Sequence, residues 1–312
     1  MKKKINIGII GSGKITNEYL KIIRTLKSFN LEGITSKTNK NSFKIAKKFK
    51  IKRVYKNYTE MVNCKNIDAL FVLVSYNNIY KVTLDIIKNK KPIFIEKPPG
   101  LTLLETTKLF KLSQKYKVKN MVGLNRRYYS IFEKGKKIIF SKGKLLGLSI
   151  EGHERAWSKN FNLNNWLFAN GIHTIDLINF FGGNIDLKSI YINKYKGLNS
   201  NISCNFKFKS GALGLYQAFW FSPGGWSVKL YGEGVTVIFH PLENGYYFLT
   251  DNKKRIISPD KVDLLYKAGF YKQIKSFQNY LIKNEKDKNM HDLKSCLKTI
   301  KLLDSIKNNR TT

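Results

Sequence analysis

The chain has 312 residues, and 57 Lys and Arg stand against 21 Asp and Glu, a formal net charge of +36. Only seven of the 57 are Arg, and a groove that reads bases or clamps phosphates favours the Arg fork over the Lys point charge. The excess therefore reads as an evenly basic surface of biased composition; a polyanion or nucleic-acid binder is the less favoured alternative, and no nucleic-acid partner is expected.

A hydrophobic content of 42% supports a packed core and excludes disorder. No apolar run reaches the ~18 residues of a membrane helix, so no membrane partner is expected. The apolar stretch after Met1-Lys2-Lys3-Lys4 is broken by Gly-Ser-Gly and is too short for a signal peptide. Cys64, Cys204 and Cys296 are far apart and odd in number, so neither a disulfide framework nor a thiolate metal site follows. The expected compartment is a reducing cytoplasm.

In chain order, Ile5–Ile10 reads as a buried strand, followed by a helix from Lys14 to Leu26. Leu31–Thr35 is a strand and Ser42–Phe49 a helix; Ile67–Val74 is a strand, and Ile79–Lys88 a helix. Pro92–Ile95 and Asn120–Leu124 read as strands around a helix at Thr102–Tyr116. Strands this apolar are buried on both faces, which points to a parallel sheet between helices. After Asn125 the pattern changes. A helix at Tyr129–Phe140 leads to a strand at Leu145–Gly152, and a helix spans Ile172–Phe180. Alternation in Asn205–Lys209 and the Ser210-Gly211 turn predict a hairpin into Ala212–Phe219. Further strands are expected at Ser227–Tyr231, Val235–Phe239 and Tyr246–Leu249, then helices at Ala268–Lys283 and Asp292–Ile306. The expected fold is α/β: a doubly wound parallel sheet in residues 1–124, then an α+β domain with a large, mostly antiparallel sheet in 125–312.

Gly11-Ser12-Gly13-Lys14-Ile15-Thr16 joins the first strand to a helix. Its first Gly allows a tight turn, and the second lets the backbone approach a pyrophosphate at the positive helix N-terminus. Thr16 replaces the small third residue of the G-x-G-x-x-G/A pattern. Gly11, Gly13, Lys14 and Ile15 are the candidate phosphate contacts. Roughly 20 residues on, an acid would hold the ribose 2′-hydroxyl of NAD. Gly33-Ile34-Thr35-Ser36-Lys37-Thr38 has no carboxylate there, and Ser36 and Lys37 could hold a 2′-phosphate instead. The expected cofactor is NADP or NAD, with NADP favoured. Glu96 and Lys97 end a buried strand at the carboxyl edge of the sheet, where ligands bind. A Lys there can donate a proton to a carbonyl oxygen as hydride arrives.

With Gly8-Ile-Ile-Gly11-Ser-Gly13, Glu96-Lys97-Pro98, Gly123-Leu-Asn-Arg126-Arg127-Tyr128 and Gly171-Ile172-His173-Thr174-Ile175-Asp176 on the page, the chain resembles the Gfo/Idh/MocA oxidoreductases. The resemblance implies an N-terminal Rossmann domain and a C-terminal domain whose open sheet builds a homo-oligomer, a dimer or tetramer. It implies hydride transfer between a nicotinamide cofactor and a carbinol or ketone carbon of a sugar or nucleotide sugar. The family's catalytic Lys and His fall on Lys97 and His173. Many members carry an Asp four residues before that His, where this chain has Ala169. Asn170 could supply a polar group but no acid or base. This departure leaves open a catalytically weak or inactive cofactor-binding relative.

Asp176 lies three residues after His173, on the same helix face, and could orient it, bind substrate or merely pair with a basic neighbour. Arg126, Asn170 and Trp157 complete the candidate substrate-binding set, with His153-Glu154 a second place where a sugar pocket or a plain strand end is read. No His, Cys or carboxylate cluster has metal spacing.

Overall fold

The structure, a computed structural model, describes residues 4–154, 166–195, 201–219 and 222–308. It divides into two compact units: residues 1–125 with 269–298, and residues 126–268 with 299–312.

The first unit runs β1 (Ile5–Ile10), α1 (Lys14–Ile23), β2 (Phe29–Thr35), α2 (Asn39–Phe49), β3 (Arg53–Val54), α3 (Tyr58–Asn63), β4 (Ala69–Val72), α4 (Tyr76–Ile86), β5 (Ile93–Ile95), α5 (Leu103–Lys115) and β6 (Asn120–Val122). The six strands form one parallel sheet in the order β3-β2-β1-β4-β5-β6. The central strands carry the apolar runs that the sequence singled out. Ile9, Ala69, Leu70, Phe71, Val72, Phe94 and Ile95 are completely buried, because helices cover both faces.

Residues 269–298 belong to this unit, so a single C-terminal domain over 125–312 does not describe the chain. The physical reason is aromatic. Within the helix Phe270–Lys283, Phe277 packs edge-on against Phe71 and Phe94, each at 5.5 Å between ring centres. Phe270 lies 4.9 Å from Tyr19 of α1. Each such ring removes about 150–250 Å² from water, and edge-to-face geometry adds to the burial. The strand β6 is also tied to this return segment, because the Val122 N–H donates to the His291 carbonyl at 2.7 Å.

The second unit contains α6 (Ser130–Lys142), β7 (Leu145–Gly152), α7 (Ile172–Gly182), β8 (Ile185–Tyr195), β9 (Asn201–Phe208), β10 (Leu213–Ala218), β11 (Trp226–Gly232), β12 (Val235–Phe239), β13 (Gly245–Leu249), β14 (Arg255–Ile257) and the short α8 (Lys261–Leu265). The helix Phe270–Lys283 is then α9, and Leu293–Asn308 is α10, inside which the division between units falls. Eight strands form a sheet in the order β14-β13-β12-β11-β7-β10-β9-β8. All pairs are antiparallel except β7 with β10.

The helices α6 and α7 cover one face of that sheet, over Ile150, Val228, Leu230, Val237 and Phe239. The opposite face carries one cross-strand row of Tyr191, Asn205, Leu215, Ser149, Lys229, Ile238, Tyr246 and Ile256. Tyr191 is 63% exposed and Ile256 is 68% exposed. Among the described residues, no helix is long and apolar enough to cross a membrane.

Candidate functional site

The turn between β1 and α1 is built around Gly11. Its φ is +121°, and a Cβ there would stand 2.3 Å from the Leu73 carbonyl oxygen. No other residue fits. A Cβ at Gly13 would meet nothing within 4 Å, so the loop is open on the side a ligand would approach. Gly13 caps α1 without a side-chain hydrogen bond, and the first turn holds no acid. The N–H groups of that turn and the positive end of the helix are thus available to an anion. Thr16 does not spoil the loop. It is fully buried, and its hydroxyl donates to the Gly11 carbonyl at 3.2 Å.

A cavity of about 610 Å³ opens on this loop, and its wall includes Ser12, Ser36, Lys37, Lys56 and Lys81. Ser12 donates to Ser36 at 2.9 Å, linking the two loops that follow β1 and β2. The structure thus brings the phosphate loop and the selector loop to one wall, with no Asp or Glu among the lining residues described. These residues fit a dinucleotide: a glycine cradle for the pyrophosphate and hydroxyls and ammonium groups beyond it. Lys56 and Lys81 were not singled out from sequence, because one residue in six is Lys and neither sits in a recognisable pattern.

Lys97 follows β5 at the same carboxyl edge of the sheet and is half-buried. Its backbone N–H donates to the Glu96 carboxylate at 2.9 Å. The other Glu96 oxygen accepts from the Tyr19 hydroxyl at 2.5 Å. Burial, then the adjacent Glu96 charge, pushes the Tyr19 phenol well above its usual range, so it stays a donor. Glu96, expected as a cofactor contact, is thus engaged by Tyr19 and by the Lys97 backbone. Its placement is that of a residue that holds the turn carrying Lys97.

The second unit has its own cavity, about 530 Å³, lined among others by Arg126, His153, Glu154, Asn170, Trp226 and Glu243. Arg126 lies over the Trp226 ring at 4.4 Å, donates to the Tyr129 hydroxyl at 2.5 Å and has Glu243 at 3.6 Å. Asn170 donates to Glu154. His173, on α7, is buried with its ring 6.1 Å from that of Trp226.

Asp176 does not line this cavity. It is 1% exposed and takes a two-pronged ion pair from Arg127, at 2.5 and 2.9 Å, plus a hydrogen bond from Thr299 at 2.7 Å. Of the readings open for Asp176, the structure shows the pair with a basic neighbour, a buried ion pair that fastens α7, in place of the expected substrate contact. Trp157 lies outside the described residues. Lys97 belongs to the first unit and His173 to the second.

Residues 5–124 match the model of the oxidoreductase family with NAD-binding Rossmann fold, Gfo/Idh/MocA. The matched stretch runs from β1 through β6 of the first unit. A myo-inositol 2-dehydrogenase of Thermotoga maritima is 27% identical over 135 residues, which span 43% of this chain and 40% of that relative. The aligned stretch thus spans well under half the length of that relative. The fold of the whole chain is shared with a dehydrogenase from Clostridium difficile, at a TM-score of 0.86 and 20% identity over 99% of this chain and 100% of the other. A dehydrogenase from Chromobacterium violaceum gives a TM-score of 0.88 and 18% identity over 99% and 96%.

The cavity of the second unit includes His153-Glu154, which the sequence offered as either a sugar pocket or a plain strand end. Its buried carboxylate, Glu154, comes from the residue after His153, at the end of β7.

Proposed function

We propose that the protein is an NAD(P)-dependent oxidoreductase acting on a carbinol or ketone carbon of a sugar or nucleotide sugar. The observation that carries this reading is the Gly11-Ser12-Gly13 loop, opening on a cavity of about 610 Å³ at the carboxyl edge of a parallel sheet. A bound nicotinamide cofactor supplies the hydride acceptor or donor. Backbone N–H groups from Gly13 to Ile15 hold its pyrophosphate. Ser36 and Lys37 contact the adenosine ribose, and the lack of an acid on that wall favours NADP over NAD.

Lys97 hydrogen-bonds the reacting oxygen through Nζ and passes a proton to or from it, so charge does not accumulate there. His173 serves as the second proton-carrying group, and Arg126 and Asn170 bind the substrate. The chain works as a homo-oligomer through the open face of its eight-stranded sheet, in a reducing cytoplasm. The exposed row that includes Tyr191 and Ile256 supports the first.

Fluorescence titration with NADPH and NADH tests the cofactor. A panel of sugars and nucleotide sugars, followed by nicotinamide absorbance, tests turnover. Lys97→Ala is expected to leave NADPH affinity unchanged and to cut turnover roughly 100-fold or more. Undiminished turnover in that variant removes Lys97 from the mechanism. Ala169, buried where a carboxylate would serve acid–base work, supports a second reading as a cofactor-binding chain without turnover. Single-turnover hydride transfer separates the two.

A further inference from the structure

Tyr19 and Glu96 meet deep inside the first unit, 77 residues apart in the chain. Tyr19 is completely buried on α1, and Glu96, just after β5, is 7% exposed. A carboxylate is costly to bury unless donors reach it. The Tyr19 hydroxyl reaches one oxygen at 2.5 Å, and the Lys97 N–H reaches the other at 2.9 Å. The carboxylate therefore ties a side chain of α1 to the backbone that carries the Lys97 ammonium.

The Tyr19 ring is clamped. It packs against Phe71 at 6.2 Å, against Phe94 at 5.2 Å and, from α9, against Phe270 at 4.9 Å between ring centres. Gly123, just after β6, lies against the hydrogen bond itself. A Cβ there would stand 3.2 Å from the Tyr19 hydroxyl and 3.3 Å from Glu96 Oε1, tighter than an ordinary contact. The Gly123 N–H donates to the Ile95 carbonyl at 2.8 Å, so the strand cannot draw back to make room. This is a packing reason for the glycine of the Gly123-Leu-Asn motif.

We propose that Tyr19 is a positioning residue for Lys97: its hydroxyl holds the Glu96 carboxylate in the orientation that also grips the Lys97 backbone. The ammonium rides on a flexible four-carbon stem, so it reaches a reacting oxygen only as well as the backbone beneath it is fixed. A misplacement of about 1 Å at a reacting group costs up to about 100-fold in rate. The proposal rests on the reading of Lys97 as the group at the reacting oxygen, but the hold on its backbone is testable without turnover.

The experiment compares the full chain with Tyr19→Phe, which keeps the ring and removes only the hydroxyl. Amide hydrogen exchange at Lys97, followed by NMR without cofactor, is expected to speed up about tenfold or more in the variant. Turnover is read with NADP+ and myo-inositol, D-glucose or UDP-glucose, whichever the wild type oxidises fastest. There kcat is expected to fall about tenfold, with KM and NADPH affinity within about twofold of wild type. Because the hydroxyl acts through the carboxylate, adding Tyr19→Phe to Glu96→Gln is expected to lower kcat by less than about twofold more. Phe277→Leu, which loosens the same core without touching Tyr19, is expected to lower the urea midpoint and keep kcat. Should Tyr19→Phe fold poorly, Gly123→Ala presses on the same hydroxyl and carboxylate and is expected to move Lys97 exchange and kcat in the same directions. Unchanged Lys97 exchange in Tyr19→Phe, or full additivity in the double variant, overturns the assignment. Faster exchange without any hydride transfer in the wild type leaves the assignment standing and counts against the oxidoreductase reading. Wild-type turnover with kcat undiminished in Tyr19→Phe supports that reading and overturns the assignment.

Discussion

Arg127 and Asp176 meet across 49 residues of sequence, with both side chains almost completely out of water. Removing one partner of such a pair leaves the other charge buried and uncompensated. Arg127→Ala is therefore expected to lower stability by about 3–5 kcal/mol, read as a drop in the urea midpoint. A loss below ~1 kcal/mol would show that water reaches Asp176. Of the roles the sequence leaves open for Asp176, the pair with a basic neighbour is the one seen. Its spacing from His173 is local and visible in the sequence, whereas its actual partner is set by tertiary packing. Gly11 was legible for the opposite reason: its requirement comes from the turn itself.

His153 gives a prediction in pH. Burial lowers its pKa, against the weaker opposing pull of Glu151. The unfolded chain, with a His pKa near ~6.5, then binds a proton where the folded protein does not. The stabilisation from keeping it neutral is full above ~6.5 and is lost as pH falls from there through the folded value. Titration of the His153 Cε1 proton by NMR is expected to give a midpoint below ~6.5, and a midpoint at or above it refutes the burial argument.

Among elements, α9 shows most clearly what a sequence pattern can and cannot assign. Its amphipathic period predicts a helix over nearly the observed span, but not which core it joins. That is decided by Phe277 meeting Phe71 and Phe94, two rings supplied by distant strands. Phe277→Ala is expected to cost about 3–5 kcal/mol in chemical denaturation, and a surface-like loss under ~1 kcal/mol contradicts the packing.

The strands Ile5–Ile10, Leu145–Gly152 and Val235–Phe239 match their predicted bounds, because each is a clean apolar or alternating run. Three kinds of element were missed. β3 and β14 are two and three residues long, too short to show a period. β8 changes register between Asp186 and Tyr191, which breaks its alternation. α3 had a usable signal, since Asn57 caps it by accepting the Glu60 N–H at 2.8 Å.

At the scale of the whole molecule, the charge of +36 and the open sheet face bear on assembly. A face with Tyr191, Leu215, Ile238, Tyr246 and Ile256 in one row is apolar enough to pair with a second copy. A pairing there would have to bring Lys229 of each copy near an acid or into water. Tyr191→Lys with Ile256→Lys is expected to reduce the mass measured by light scattering and leave NADPH affinity unchanged. An unchanged mass excludes this face as the contact. The two-unit fold class was legible from the switch in period near Asn125; the oligomer rests on resemblance and on this row.

The first unit is not contiguous in the chain: residues 269–298 complete the core of a unit whose first strand starts at Ile5. A ribosome therefore releases the first strands long before α9 exists. Until then, the side of Tyr19, Phe71 and Phe94 that Phe270 and Phe277 will cover has no partner from that helix. Domains usually mature in the order they are synthesised. Here the N-terminal domain is finished by residues made after the body of the second. Its glycine loop can be shaped early, but its last layer of core arrives only after residues 126–268 have been made.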